Sequence, residues 1–318
     1  MAGSSEYQAL ARKYRPQTFD DVVGQEAVKS ALANTIESKR IHHAYLLTGT
    51  RGIGKTTIAR IIAKCLECEN GITSHPCGHC GACEEITSGV FPDVIEIDAA
   101  SQTKVEDTRS LLENTRYPPV RGRYKIYIID EVHMLTANSF NALLKTLEEP
   151  PSYVKFILAT TDPQKIPTTV LSRCLKFQLM ALTRDEIRSQ IERIASKEGI
   201  PCEGEGAAMI ASAAKGSMRD ALSLCDQAVA LGGGSIKLAC VQQMLGAAGD
   251  ELLSSVLDLL LGQRDDLAAL LDTVRRIAPN YKTLLDALVF AFHDLALYQF
   301  TGIGRLNVFT TALPILQK

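Results

Sequence analysis

The stretch Gly49-Thr50-Arg51-Gly52-Ile53-Gly54-Lys55-Thr56 limits what this chain can fold into more than any other. Its spacing is G-x-x-x-x-G-K-S/T, in which a glycine-rich loop wraps a phosphate with backbone N–H groups. Missing Cβ atoms open left-handed dihedrals and close approach to an anion. Lys55 is placed to reach the β- and γ-phosphates of a nucleotide, and the Thr56 hydroxyl to hold Mg²⁺. The flanks agree. Residues 44–47 are a short apolar run that reads as a buried strand, and 57–66 have helical periodicity. Such a helix aims its positive end at the same anion. The competing reading, a glycine-rich turn without ligand, fits that frame poorly.

Further strand-like runs follow at 94–98, 125–129, 154–161 and 175–179. Between them the pattern predicts helices over 25–38, 104–116 and 137–149, and a helical piece ending at Ser172. Pro16 rules out a continuous helix through Lys13-Tyr14-Arg15-Pro16. Strands alternating with helices predict an α/β fold, a parallel sheet covered on both faces. Past Met180 the strand signals stop. Helices are expected over 184–198, 207–215, 218–231 and 238–245, then over 252–261, 267–277 and 284–300. The expected domains are 1–181, a P-loop domain with an insertion at 68–83; 182–246, a small helical domain; and 247–318, a further helical segment.

The second chemical signal is Ile126-Tyr127-Ile128-Ile129-Asp130-Glu131. A buried strand ending in a carboxylate sets Asp130 beside the Thr56 hydroxyl, where it can support Mg²⁺. Glu131 can then orient or deprotonate an attacking water. The alternative is an exposed acidic pair opening a turn. Thr160-Thr161-Asp162 offers hydroxyls toward a γ-phosphate, or equally a cap before Pro163. Arg173 and Arg219 can stabilise charge on a transferring phosphoryl group, or can be ordinary surface charges. The segment around Tyr14, Arg15 and Val23 is either a wall for a nucleotide base or a plain surface connection. Residues 101–104 and 136–138 are helix starts that can grip phosphate or simply cap their helices.

Cys68-x8-Cys77-x2-Cys80-x2-Cys83 supplies four thiolates at a spacing that suits a closed tetrahedral Zn²⁺ site, with no position left for a catalytic water. Gly78 and Gly81 are expected to permit the tight turns. Cys65 lies a helical turn before Cys68 and reads as a packed thiol. His75 and His79 are the substitute ligands to weigh, and free loop thiols the plain alternative. The remaining cysteines are scattered and read as packing residues.

Bulk properties exclude some roles. A net charge of −2 and a pI of about 6.3 make the whole chain no basic nucleic-acid glove, so DNA contact must be local or shared. No apolar run reaches membrane-spanning length, and the first residues lack the basic and apolar regions of a secretion signal. The expectation is a cytoplasmic protein whose clustered cysteines hold metal rather than disulfides.

Taken together these residues resemble the AAA+ ATPases, and within them the clamp-loader branch. The stretches that carry the resemblance are residues 10–16, His42-His43-Ala44-Tyr45, the P-loop, Ile97-Asp98-Ala99-Ala100-Ser101 and residues 129–135. They continue through 142–151, 158–163, Ser172-Arg173-Cys174 and 216–222. The resemblance implies that Gly49, Thr50, Arg51, Gly52, Ile53, Gly54, Lys55, Thr56 and Thr57 bind ATP. Tyr14, Arg15 and Val23 would line its base and ribose side. Thr56 and Asp130 would hold Mg²⁺, Glu131 would activate water, Thr161 would be the sensor 1 residue and Arg219 the sensor 2 arginine of a lid domain. Arg173 in Ser-Arg-Cys would be an arginine finger reaching a neighbouring subunit. Cys68, Cys77, Cys80 and Cys83 would hold Zn²⁺.

The implied partners are delta and delta-prime subunits, further copies of this chain, a ring-shaped sliding clamp and primer-template DNA, with no membrane. Residues 247–318 would be part of an oligomerising collar. Two other readings stand beside clamp loading. One is another AAA+ motor on DNA, for branch migration or helicase loading. The other is a scaffold that holds ATP without turnover, against which the intact Lys55, Asp130-Glu131 and Arg173 argue.

Overall fold

The computed structural model describes residues 8–101, 114–245, 250–260, 262 and 266–277, with single positions between 285 and 300. Strands β1 (Ala44–Thr48), β2 (Val94–Asp98), β3 (Lys125–Asp130), β4 (Val154–Thr160) and β5 (Leu175–Gln178) form one parallel sheet. Their order is β2-β3-β4-β1-β5. The central strands are apolar at nearly every position because both faces are covered. Along β1, Tyr45 and Leu47 join one core with Ile58, Ile62, Ile128 and Ile157. Ala44 and Leu46 point the other way, into a core with Tyr127, Ile129, Leu143 and Phe156. Edge strand β5 is largely exposed, which explains its polar Lys176 and Gln178.

Helices α1 (Leu10–Lys13), α2 (Glu26–Glu37), α3 (Lys55–Glu67) and α4 (Gly81–Ser88) precede β2, α4 beginning at the end of the insertion. Helix α1 stops ahead of Arg15-Pro16, as the steric demand of proline on its predecessor requires. α5 (Ala137–Glu148) and α6 (Thr168–Leu171) flank β4, and α7 (Arg184–Glu198) follows β5. Beyond lie α8 (Gly204–Ala213), α9 (Met218–Leu231), α10 (Leu238–Met244), α11 (Asp250–Leu260) and α12 (Leu267–Ile277). One helix was not expected, and two expected helices are corrected or fall outside the described residues. Helix α4 is not legible in the sequence, because its cysteine and glycine hide an amphipathic face burying Ala82, Cys83 and Ile86. Residues 102–113, most of the expected helix 104–116, lie outside the described residues; 114–116 form a 3-10 turn. Most of 284–300 lies outside them too.

The chain forms two compact units, 1–198 with 210–226, and 199–209 with 227–318. In the second, Cys202 bridges Ile236 in parallel and Glu203 accepts the Leu238 N–H at 2.7 Å. Among the described residues no helix is long and apolar enough to cross a membrane.

Candidate nucleotide site and metal centre

Parallel strands end together, so the loops following β1, β3 and β4 meet at one edge of the sheet. The register puts Thr48 opposite Thr160, and Ile129 opposite Leu158, which brings the P-loop, Asp130-Glu131 and Thr160-Thr161 side by side. The Gly49 N–H donates to the Thr160 carbonyl at 3.3 Å, tying the loop to β4. Gly54 has φ +103° and caps α3, so the first N–H groups of that helix open into the loop. Gly52 has φ +76°, and a Cβ there would lie 2.0 Å from the Ser217 hydroxyl oxygen. The start of α9 therefore sits directly on the phosphate loop, with the Arg219 N–H donating to the Gly52 carbonyl at 3.3 Å.

The side chains converge on that loop. Lys55 is buried and its Nζ donates to the Gly49 and Thr50 carbonyls, both at 2.9 Å. Burial lowers its pKa, opposed by the charges of Glu131 and Asp130, which face it. The Thr56 hydroxyl donates to Asp130 Oδ2, while Oδ1 accepts the Glu131 N–H at 3.0 Å. Glu131 Oε2 accepts the Thr161 N–H at 3.1 Å and the Thr161 hydroxyl at 2.8 Å. Thr161 is thus turned to the site, and the capping role falls to Asp162, which accepts the Gln164 N–H at 3.2 Å. Arg15 donates to Thr57 Oγ1 at 3.3 Å. Its pKa is lowered by burial first, then by Arg60; Arg219 adds to the lowering. Arg15, Lys55 and Arg219 therefore surround the loop with positive charge, which suits a polyphosphate. Arg60, which the sequence does not single out, is held in a fork by Glu96 at 2.7 and 2.9 Å.

Other expected residues lie elsewhere. The Tyr14 hydroxyl donates to Glu198, a bond that pushes its pKa up to about 12. Val23 is half-buried beside Gly24, whose α-carbon faces Leu182 and Glu186. Arg173 precedes β5, and Leu175 pairs with Tyr45 near the start of β1. Its guanidinium is bonded to Glu148 at 2.8 Å and to the Thr169 carbonyl at 2.7 Å. At about 3.3 Å of rise per residue, it lies on the order of 15 Å along the sheet from its own P-loop. Thr136 accepts the Ser139 N–H at 3.2 Å and is an ordinary helix cap. His133, given no role from the sequence, also touches the site, 3.3 Å from Glu131 Oε2.

At the other end of α3, the sulfurs of Cys68, Cys77, Cys80 and Cys83 all lie within 4.8 Å of one another. Tetrahedral Zn–S bonds of about 2.3 Å separate sulfurs by just under 4 Å, so the donor set fits a four-thiolate metal. The Cys77 N–H donates to Cys68 Sγ at 3.5 Å, and N–H groups led by that of His79 lower the Cys77 pKa to about 7, favouring thiolate. Cys65 turns away, donating to the Ser74 carbonyl at 3.7 Å. His75 contacts the Ser74 hydroxyl and His79 the Cys77 carbonyl through Nδ1, so both rings have other partners. Gly78 has φ +79° as its turn needs, whereas Gly81 is simply the first residue of α4. Arg123 holds the Cys68 carbonyl at 2.8 Å from outside the cluster.

A five-stranded parallel sheet with a P-loop, a paired Asp-Glu strand end and a helix seated on the loop defines an AAA+ nucleotide-site fold. Solved structures of Thermotoga maritima RuvB share it; one has a TM-score of 0.55 and 22% identity, with 85% of this chain covering 87% of that one. Residues 24–183 match the family described as DNA polymerase III, delta subunit, and 186–234 match the DNA polymerase III clamp loader subunit, ATPase lid domain. The chain is 55% identical to DNA polymerase III subunit tau of Escherichia coli, over 95% of this chain and 47% of that protein. It is 48% identical to subunit gamma of Buchnera aphidicola, over 90% of this chain and 80% of that one. The chain belongs to the DNA polymerase III tau/gamma subunit family. It spans about half the length of the longer relatives it matches.

Proposed function

We propose that this chain binds Mg²⁺-ATP and hydrolyses it as a subunit of a bacterial DNA polymerase III clamp loader, driving a sliding clamp onto primed DNA. The observation that carries the reading is the continuous set Thr56–Asp130–Glu131–Thr161 beside a buried Lys55, in a chain of the tau/gamma family. Lys55 and the loop N–H groups would hold the phosphates, with Thr56 and Asp130 on the magnesium side. Glu131 would take a proton from the attacking water, with Thr161 beside it. Arg219, whose backbone is bonded to the P-loop, would report the γ-phosphate to the lid, and Arg173 would serve a neighbouring copy. Residues 1–181 would act as the ATPase domain, 182–246 as the lid and 247–318 as part of a collar. Delta-type subunits, further copies, the clamp and primer-template DNA are the partners this reading requires, in the cytoplasm. In the reconstituted assembly, ATP turnover should rise when clamp and primer-template DNA are added together. A rate indifferent to both would favour another DNA motor, and no turnover at all a nucleotide-holding scaffold.

The cysteine cluster would hold a structural zinc that fixes the insertion to the end of α3. Four thiolates leave a net negative charge on a dication. Buried Lys64, whose pKa is lowered by burial and raised by the charge of Cys83, sits where it offsets that charge. Metal analysis should find about one zinc per chain, kept in Cys65→Ala and lost in Cys80→Ala. Loss in both variants, or in neither, would reject this ligand set.

A further inference from the structure

We propose that His133 is a positioning residue for ATP hydrolysis, fixing the rotamer of Glu131 through a hydrogen bond at Nδ1. The inference rests on Glu131 being the group that activates water. Glu131 directly follows β3 and sits in the left-handed region, at φ 46° and ψ 45°, a strained conformation for a residue with a side chain. A 3-10 turn, Val132–Met134, follows at once and is closed by the Met134 N–H donating to the Glu131 carbonyl at 2.8 Å. Val132 is fully buried and anchors the turn. That geometry carries the ring of residue 133 back over the carboxylate of residue 131.

There Nδ1 lies 2.9 Å from the Thr160 hydroxyl oxygen and 3.3 Å from Glu131 Oε2. In the proposed arrangement the proton resides on Nδ1 and faces both oxygens; the opposite tautomer would set a ring lone pair against the carboxylate. Thr160 is a rigid post for this bond. It is wholly buried at the end of β4, and its Oγ1 also accepts the Asp162 N–H at 3.0 Å.

Glu131 Oε2 is hydrogen-bonded by two donors, the Thr161 N–H and the Thr161 hydroxyl, and the proposed third donor is His133 Nδ1, 3.3 Å away. Two of them come from the end of β4 and one from the turn that Glu131 itself begins. With Oε2 fixed in that cradle, the carboxylate plane is fixed, and so is the direction in which Oε1 can meet a water. Thr161 alone leaves the carboxylate free to swing about its bonds to one residue; the ring closes the other side.

The test compares His133→Phe, which keeps a ring without the donor, with His133→Asn, whose amide nitrogen occupies nearly the place of Nδ1. Both are measured in the assembled loader, alongside Glu131→Gln. His133→Phe should lower kcat by about 10–100-fold, with the affinity for an ATP analogue and the melting temperature unchanged. His133→Asn should restore most of that loss. A merely structural role would move the melting temperature and would not be rescued by Asn. A kcat for His133→Phe that is unchanged or raised overturns the proposal, as does an Asn variant no better than Phe. If Glu131→Gln itself still turns over, the assignment of Glu131 fails instead, and the two failures are told apart.

Discussion

Glu131→Gln should cut ATP turnover by about 10²–10⁴-fold while leaving nucleotide affinity nearly unchanged. The substitution alters almost nothing but basicity. Glutamine keeps an oxygen for the Thr161 N–H and hydroxyl, and leaves the Thr56–Asp130 pair intact. What it removes is the ability to accept a proton from water. Single-turnover measurements beside fluorescent-nucleotide binding would separate the two effects. Loss of binding in step with turnover would mean that Glu131 belongs to the phosphate-holding set. Full activity would hand the basic role to another group.

Arg173→Ala is the second large effect expected, a loss of about 10³-fold or more in the assembled loader, the scale of an arginine finger. The topology sets Arg173 apart from the P-loop of its own chain. Arg173 enters β5 at the sheet edge where β1 begins, whereas the P-loop follows the end of β1. Its guanidinium pairs with Glu148, one third and one half exposed, respectively. Such a pair is worth about 1 kcal/mol or less, too little to keep the arginine from a phosphate. Mixing Arg173→Ala chains with Lys55→Ala chains should therefore restore part of the turnover, because some sites combine an intact loop with an intact finger. Failure of the mixture to recover, with each parent inactive, would return Arg173 to its own chain.

Much of this was legible in the sequence, for a physical reason that can be named. The central strands are apolar on both faces, and their ends carry the residues that a parallel sheet gathers at one edge, so Thr56, Asp130 and Thr161 could be joined before any coordinates. The cysteine spacing works likewise, since its four sulfurs are close along the chain. What escaped depended on contacts distant in sequence or on turn geometry. The partner of Tyr14 is Glu198, and the need for glycine at 52 comes from Ser217; no local pattern announces either. His133 was hidden because its reach to Glu131 depends on a left-handed residue and a single 3-10 turn. Helix α4 was masked because its buried face is made of cysteine and alanine as well as isoleucine.

The one-way run of the strands has a consequence for counting. A chain that receives a finger at one edge of its sheet and offers one at the other is a link with a head and a tail. Links of this kind either close into a circle or leave two different ends. In an open row, one end copy holds a loop that no identical neighbour completes, and the other carries an arginine with no loop to serve. The number of working sites among identical links is then always one fewer than the number of links. On the proposed role of Arg173, a row capped by a finger-bearing subunit without a loop of its own would regain the missing site, which would give an unlike end subunit a purpose.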